Sequence, residues 1–378
     1  MGIVRKGNLE LLKKINRSLV LETIRSQQPI SRAKVAQRLS FSRSTVSSIV
    51  DELIAKKFVV ETGFGSSTRE GGRRAIELGF NPRSGYGVGV ELLENGLFIC
   101  ITDLDGNVVL KESSVAGNDF KTIYECILAS LDKASVSMDA VIAIGFCIPG
   151  LTNSKEGIVV DAPEFGWKDV PFVDEMKKYL AKPIYANNDV NCAALGERWL
   201  GGAKDLEDFI YIYIGLGSGV GSAIVANGNL VHGKDFMAGE IAYLIQEEDI
   251  TRNQVNVAGQ FGVFEKKTSG KSLAENDNTV QALFQGYTQE DPRSVQTVNR
   301  FVTQLSIGIS NMVSLLNPEK VILGGEVAGY LNPVLDEIRS NIGRMTPIQT
   351  TVEISRMGVE AGVLGVIAYA FELEQNVI

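Results

Sequence analysis

The stretch Phe209–Val231 reads FIYIYIGLGSGVGSAIVANGNLV. An apolar run, a glycine-rich turn, a second apolar run and the Asn227-Gly228 hairpin signal follow one another, so the pattern predicts strands Phe209–Ile214 and Val220–Ala226 and a short return through Leu230 and Val231. A similar passage stands earlier in the chain: Tyr86–Leu92, Leu97–Thr102, a turn at Asp105-Gly106, then Val108–Lys111. Each passage is followed by helical patterns and a further apolar strand, Val141–Ile148 in the first case and Lys320–Leu323 in the second. Two α/β halves with the same opening predict a duplicated fold. Its lobes cover about residues 85–195 and 205–370, with a cleft between them.

The chain has 378 residues, 44% hydrophobic and 22% charged, a globular composition long enough for two or three domains. No run approaches the ~18 uncharged apolar residues of a membrane span, and the first thirty residues are too rich in Lys, Arg, Asn and Gln for a secretory signal. The expected location is the cytoplasm. Cys100, Cys126, Cys147 and Cys192 have no paired spacing for a disulfide framework, a zinc knuckle or a redox dithiol, and read as buried thiols. With one histidine, His232, mechanisms that need two imidazoles are excluded.

The net charge of −8 hides an asymmetry on either side of Asn81-Pro82, a dipeptide that resists helix and marks a boundary. Residues 1–80 hold 15 basic and 7 acidic side chains, net +8; residues 81–378 hold 22 and 38, net −16. A small basic module thus precedes a large acidic body, and basic modules concentrate near polyanions.

Within that module, Val46, Ile49, Val50, Leu53 and Ile54 recur with helical period behind a Ser42 N-cap. The opposite face offers Arg43, Ser44, Ser47 and Ser48, side chains suited to base edges and phosphates. Ser31 caps a shorter helix, Arg32–Leu39, and Ser40-Phe41 is the turn between the two: a helix-turn-helix. An earlier helix, roughly 8–27, is expected to pack Leu12, Ile15, Leu19, Val20 and Ile24. After the second helix of the motif, Phe58–Glu61 and Ala75–Leu78 read as strands around Gly71, Gly72, Arg73 and Arg74, a wing whose arginines can clamp phosphates. The competing reading is a three-helix interaction module with a polar face.

The residues that carry a family resemblance are Pro29-Ile30-Ser31-Arg32, Ser44-Thr45-Val46-Ser47 and Gly71-Gly72-Arg73-Arg74 in the module. In the body they are Ile148-Pro149-Gly150, Gly166-Trp167-Lys168-Asp169, Asn187-Asn188-Asp189-Val190-Asn191 and Ala194-Leu195-Gly196-Glu197. With these, the chain resembles over nearly its whole length the repressor branch of the ROK family (repressors, open reading frames and sugar kinases), xylose-repressor-like members above all. The resemblance implies an α/β architecture in which a winged helix-turn-helix, residues 1–80, precedes a duplicated actin-like or ribonuclease-H-like sugar-kinase fold of two lobes, residues 81–378. It also implies a monosaccharide in the cleft.

Sugar hydroxyls call for carboxylates and amides converging from separate loops. The resemblance assigns sugar contacts to Gly150, Asn188, Asp189, Glu240, Tyr243 and Glu265, with Asp189 a vestige of the kinases' catalytic base. It assigns DNA contacts to Arg32, Arg43, Ser44, Thr45, Ser47, Arg73 and Arg74. The family's structural zinc would fall on Tyr243, Asn256, Ala258 and Val263, none of them a good ligand, so no metal is expected. The kinases' Asp-x-Gly-Gly-Thr run corresponds to Glu91-Leu92-Leu93-Glu94-Asn95, where side chains would block nucleotide phosphates, so ATP is not expected either. Gly215–Gly221 and Gly324-Gly325 survive, as tight turns alone would require.

The expectation is a sugar-responsive transcription factor, most simply a repressor of carbohydrate-utilisation genes. Its partners are operator DNA and a pentose or hexose effector, and it acts as a homodimer or homotetramer. The competing class is an ATP-dependent sugar kinase carrying an accessory DNA-binding module.

Overall fold

In the computed structural model, which describes residues 3–64, 74–115, 117–257, 260–274 and 279–374, the basic module begins with α1 (Ile3–Gln27), β1 (Ile30–Ser31), α2 (Arg32–Leu39) and α3 (Arg43–Ala55). Ser31 and Ser42 cap α2 and α3 by accepting hydrogen bonds from the backbone N–H of Lys34 and Thr45. The turn between them is possible because Ser40 adopts a left-handed conformation, φ 53°. Strands β2 (Val59–Phe64) and β3 (Ile76–Phe80) form the wing, with β1 on the far side of β3. Both wing strands run further than the sequence suggests. Arg69, Gly71, Gly72 and Arg73 at its tip lie outside the described residues.

Val20, Leu21 and Ile24 of α1 meet Val35, Val46, Val50 and Leu53 in the module's core. Leu12, Ile15 and Leu19 do not: they are exposed. At 25 residues α1 is ~37 Å long, against ~12 Å and ~20 Å for its partners, so only its C-terminal half reaches them.

The body repeats one topology. In the first lobe, β4 (Tyr86–Leu93), β5 (Gly96–Asp103), β6 (Val108–Ser114), α4 (Phe120–Lys133), β7 (Val141–Ile148) and β11 (Ile184–Asn188) make a sheet of order β11-β7-β4-β5-β6. Between β7 and β11, a small antiparallel sheet of β8 (Leu151–Asn153), β9 (Ile158–Ala162) and β10 (Trp167–Val170), followed by α5 (Phe172–Met176), forms a flap. Trp167 stacks on Phe120 at 5.9 Å and anchors that flap to the lobe.

Helix α6 (Asp189–Leu200) leads to the second lobe: β12 (Phe209–Ile214), β13 (Val220–Ala226), β14 (Asn229–Leu230), α7 (Glu247–Thr251), α8 (Glu265–Thr268), α9 (Gly270–Leu273), α10 (Val280–Thr288), α11 (Pro292–Leu316), β15 (Lys320–Gly324), α12 (Leu335–Met345) and β16 (Thr351–Ile354). Its sheet runs β14-β13-β12-β15-β16. In each lobe the first three strands pair antiparallel and the last two join parallel. This is the duplication the sequence predicts.

The lobes exchange helices. Helix α6 follows the first lobe's last strand but packs Val190, Ala193 and Ala194 against Tyr211, Ala223 and Ile322 of the second. The final helix, α13 (Ala361–Leu373), follows the second lobe but lies on the first, so close that a Cβ on Gly89 or Gly145 would collide with the carbonyls of Val363 and Val366. The two helices also touch each other backbone to backbone. A Cβ on Gly365 would overlap the carbonyl oxygen of Cys192, and one on Gly196 that of Ala361.

Gly365→Ala should therefore pry α6 from α13 and cost ~1–3 kcal/mol, read as a lowered urea midpoint. Gly343→Ala, on α12 where an added Cβ meets nothing within 4 Å, should stabilise by ~0.5–1 kcal/mol, read as a raised midpoint.

Candidate functional site

At the first lobe's side of the cleft, β11 ends where α6 begins. Asn188 is the helix N-cap: its Oδ1 accepts from the N–H groups of Val190 (3.0 Å) and Asn191 (3.1 Å). Its Nδ2 donates to the Gly150 carbonyl (2.7 Å) and to Asp189 Oδ1 (2.8 Å). Gly150 has φ 101°, and a Cβ there would strike the Asp161 carbonyl, so the turn that offers its own carbonyl to Asn188 needs glycine. One amide thus fixes the flap, the helix start and the direction of the Asp189 carboxylate.

Burial raises the Asp189 pKa to about 7, with Glu164 and Glu240 adding to it, while the N–H of Val190 acts in the other direction. Deeper in the cleft, burial and then the charges of Asp189 and Glu326 push Glu91 up to about 8. From the second lobe, Glu240 lies open to the cleft, its pKa raised by the surrounding walls and then by Glu265. The Tyr243 hydroxyl is raised by burial and then by Glu240, Glu265 and Asp161, which gather around it. The structure therefore places Asn188, Asp189, Glu240, Tyr243 and Glu265 around one cleft, with Gly150 beside them through the carbonyl that Asn188 holds.

Glu265 has a second occupation. Its Oε1 accepts from the N–H of Val220 (3.1 Å) and its Oε2 from that of Gly262 (2.8 Å). Nearby, Glu326 Oε2 accepts from the N–H of Leu216 (3.3 Å) and the hydroxyl of Tyr213 (3.0 Å), and the N–H of Gly215 turns back on the Gly219 carbonyl (2.8 Å). In this glycine loop, carboxylates hold amides at Leu216 and Val220 that a phosphate cradle would use.

The segment where the family's zinc would sit is closed differently. Asn256 donates from Nδ2 to the Tyr243 carbonyl (2.7 Å) and accepts on Oδ1 from the N–H of Val263 (2.8 Å). A buried ion pair between Asp249 and Lys267 ties α7 to α8 beside it. Ala258 lies outside the described residues. A phenol, an alkyl side chain and an amide already bonded at both ends do not fit a zinc ion. Among the described residues, no group of three or more His, Cys, Asp or Glu is arranged to hold a metal. His232 is a packed histidine, its ring 5.5 Å from that of Phe236 and its pKa lowered by burial.

On the module, Arg43, Ser44, Thr45 and Ser48 are exposed at the start of α3 and Ser47 is partly covered. The Ser42 hydroxyl lies 2.8 Å from that of Ser44 and 2.7 Å from that of Thr45, which orders the helix end. Arg32 is engaged within the protein: its Nη1 donates to Asp51 (2.7 Å), joining α2 to α3. Arg74 is exposed at the base of the wing, and Arg73 lies outside the described residues.

Residues 88–372 match the model of the ROK family. The chain belongs to the ROK family. The xylose repressor of Caldicellulosiruptor bescii is 29% identical over 393 residues, spanning 96% of each chain. Among solved structures, a ROK family transcriptional regulator described as a homologue of the E. coli MLC protein superposes with a TM-score of 0.80 at 22% identity, over 97% of this chain and 98% of that one. A ROK family glucokinase from Streptomyces griseus, solved with glucose and AMPPNP, superposes with a TM-score of 0.63 at 23% identity over the whole of its chain but only 76% of this one. Residues 1–87 lie outside the ROK family match.

Sequence reasoning missed Glu326, Asp161 and Glu164. The signal for Glu326 is its position directly after Gly324-Gly325, at the carboxyl end of a parallel strand, where α/β sheets present their ligand groups. The other two flank Ala162-Pro163 at the end of β9, where no spacing or motif in the sequence singles out an acid.

Because Asp189 and Glu91 carry folded-state pKa values near 7 and 8, above the ~4 of unfolded carboxyls, the folded state holds extra protons in between. Their contribution to stability is thus lost as pH rises from about 4 to about 8. Asp189→Asn should be less destabilised than wild type across that window, so the difference in urea midpoints, variant minus wild type, should grow from pH 5 to pH 8.5.

Proposed function

We propose that this protein is a sugar-responsive DNA-binding transcriptional regulator, a repressor of carbohydrate-utilisation genes, in which the kinase-derived cleft takes an effector and the winged helix-turn-helix takes operator DNA. The observation that carries this reading is the capped helix α3, with Arg43, Ser44, Thr45 and Ser48 outward, standing on a wing and packed onto a two-lobed ROK body. The regulator whose structure overlays 97% of this chain and the repressor aligned over 96% of it support it.

The effector is an unphosphorylated aldose, with D-xylose the first candidate from the relatives' names. Asn188 and Asp189 from one lobe and Glu240, Tyr243 and Glu265 from the other present the mix of carboxylate, amide and hydroxyl that sugar hydroxyls pair with. The carboxylates of Asp161, Glu164 and Glu326 nearby repel a phosphoryl group. The same charges argue against ATP: Glu326 and Glu265 occupy amides of the glycine loop, and Glu94 projects from the β4–β5 turn. Asp189 keeps the position of the kinases' base but acts as a ligand contact. Two modules of a homodimer or homotetramer then read half-sites a helical turn (~34–36 Å) or a multiple apart, and sugar shifts the balance between two spacings through its unequal affinity for them.

Fluorescence anisotropy on DNA from the protein's own promoter, titrated with a monosaccharide panel at fixed salt, tests this. Specific binding released by D-xylose is expected; binding that no sugar alters, or none at all, would reject the reading. Asp189→Ala should weaken sugar affinity by ~10–100-fold while leaving sugar-free operator binding unchanged. Arg43→Ala should do the reverse, costing ~1–3 kcal/mol of operator affinity. The kinase alternative predicts sugar-dependent ADP release that Asp189→Asn abolishes; no release is expected.

A further inference from the structure

Helix α6 starts at the sugar cleft and ends at the DNA-binding module. Its first residues are Asp189 and the N-cap Asn188; its last are Trp199 and Leu200, ~18 Å away. Trp199 meets Phe371 of α13 edge to face at 5.9 Å. Leu200 and Trp199 both bear on the turn after β5: a Cβ on Gly106 would lie 2.8 Å from Leu200 and 3.1 Å from Trp199. The neighbouring residue in that turn, Asp105, accepts a hydrogen bond from Nε of Arg25 on α1 (2.7 Å). Arg25 also donates from Nη2 to the Leu104 carbonyl (2.9 Å) and lies 5.2 Å from the centre of the Phe80 ring, at the end of the wing.

The helix is fastened to the second lobe near this end. The buried Glu197 accepts from the N–H of Gly202 (2.6 Å) and from the hydroxyl of Ser355, and Arg198 reaches the Gly228 carbonyl. Its middle rests on α13, which belongs spatially to the first lobe, at the Gly196 and Gly365 contact. That contact lies between the sugar groups at one end of α6 and Trp199 and Leu200 at the other. Helix α1 is held at Arg25, where an open groove of about 610 Å³ runs between Lys14, Ile15 and Arg25 of α1 and Leu195, Trp199 and Phe371 of the body. Side chains beside such a groove are less constrained than those of a packed interior.

We propose that α6 is the lever that carries sugar occupancy to the DNA-binding module, its Trp199–Leu200 end pressing the Asp105–Gly106 turn that holds Arg25 of α1. This rests on the reading of the protein as a sugar-responsive regulator. Leu200, Asp105 and Arg25 are positioning residues: they touch neither sugar nor DNA, and they set the coupling between the two.

The test uses the full chain, promoter DNA and D-xylose, measuring operator affinity with and without sugar and sugar affinity with and without operator. Leu200 is 40% exposed, so Leu200→Ala should fold, and retained sugar affinity reports that it has. In the wild type, sugar should change operator affinity by about fivefold or more. In Leu200→Ala that ratio should fall below about twofold, the reciprocal effect of operator on sugar affinity should shrink equally, and Leu200→Met should restore both. Asp105→Ala, which removes the ion pair between that turn and Arg25, should uncouple in the same way. Wild-type ratios in both Leu200→Ala and Asp105→Ala would overturn the lever and leave the functional reading intact. A wild-type chain whose operator binding ignores every sugar would overturn the functional reading and the lever with it.

Discussion

The contact of α6 with α13 at Gly196 and Gly365 sets the geometry of the whole body. Each helix is contributed by one lobe and seated on the other, so the lobes are joined by an exchange rather than by a simple linker. Close approach of two helix backbones excludes side chains from the crossing and leaves little room for repacking. The cleft opens on one side of this crossing and the DNA-binding module sits on the other. Glycines in the facing strands, Gly89 and Gly145, let α13 lie equally close to the first sheet.

The second organising feature is a gathering of carboxyl groups. Glu91, Asp161, Glu164, Asp189, Glu240, Glu265 and Glu326 line or border one cleft, and burial lifts the pKa of several of them. Glu326 and Glu265 accept hydrogen bonds from two amides of the glycine loop, those of Leu216 and Val220. Asn256 performs a similar service in the loop after Tyr243, where one side-chain amide bridges two backbone groups.

Much of this was legible in the sequence. The period-2 and hairpin signals of Phe209–Val231 recovered both halves of the body, because strand pairing and two-residue turns are local properties; β12, β13 and β7 fall on the expected residues. The caps at Ser31 and Ser42 were equally local. What could not be read depended on partners remote in sequence. The exposure of Leu12, Ile15 and Leu19 follows from how short α2 and α3 are beside α1. The engagement of Arg32 by Asp51, and of glycine-loop amides by Glu326, requires knowing which elements fold together. Helix exchange is invisible to any reading that follows chain order, since α13 sits on strands nearly three hundred residues before it.

The module's core does not stop at the module. Val20, Ile24, Val35 and Leu53 belong to the same apolar cluster as Cys100, Leu104, Val363, Leu364, Ile367 and Phe371 of the body. A DNA reader joined by a flexible tether can be traded between proteins by recombination at the tether. This one cannot be lifted away without baring the underside of a sheet and the last helix. A change of operator specificity that keeps this shared core intact is therefore confined to point changes on α3 and the wing.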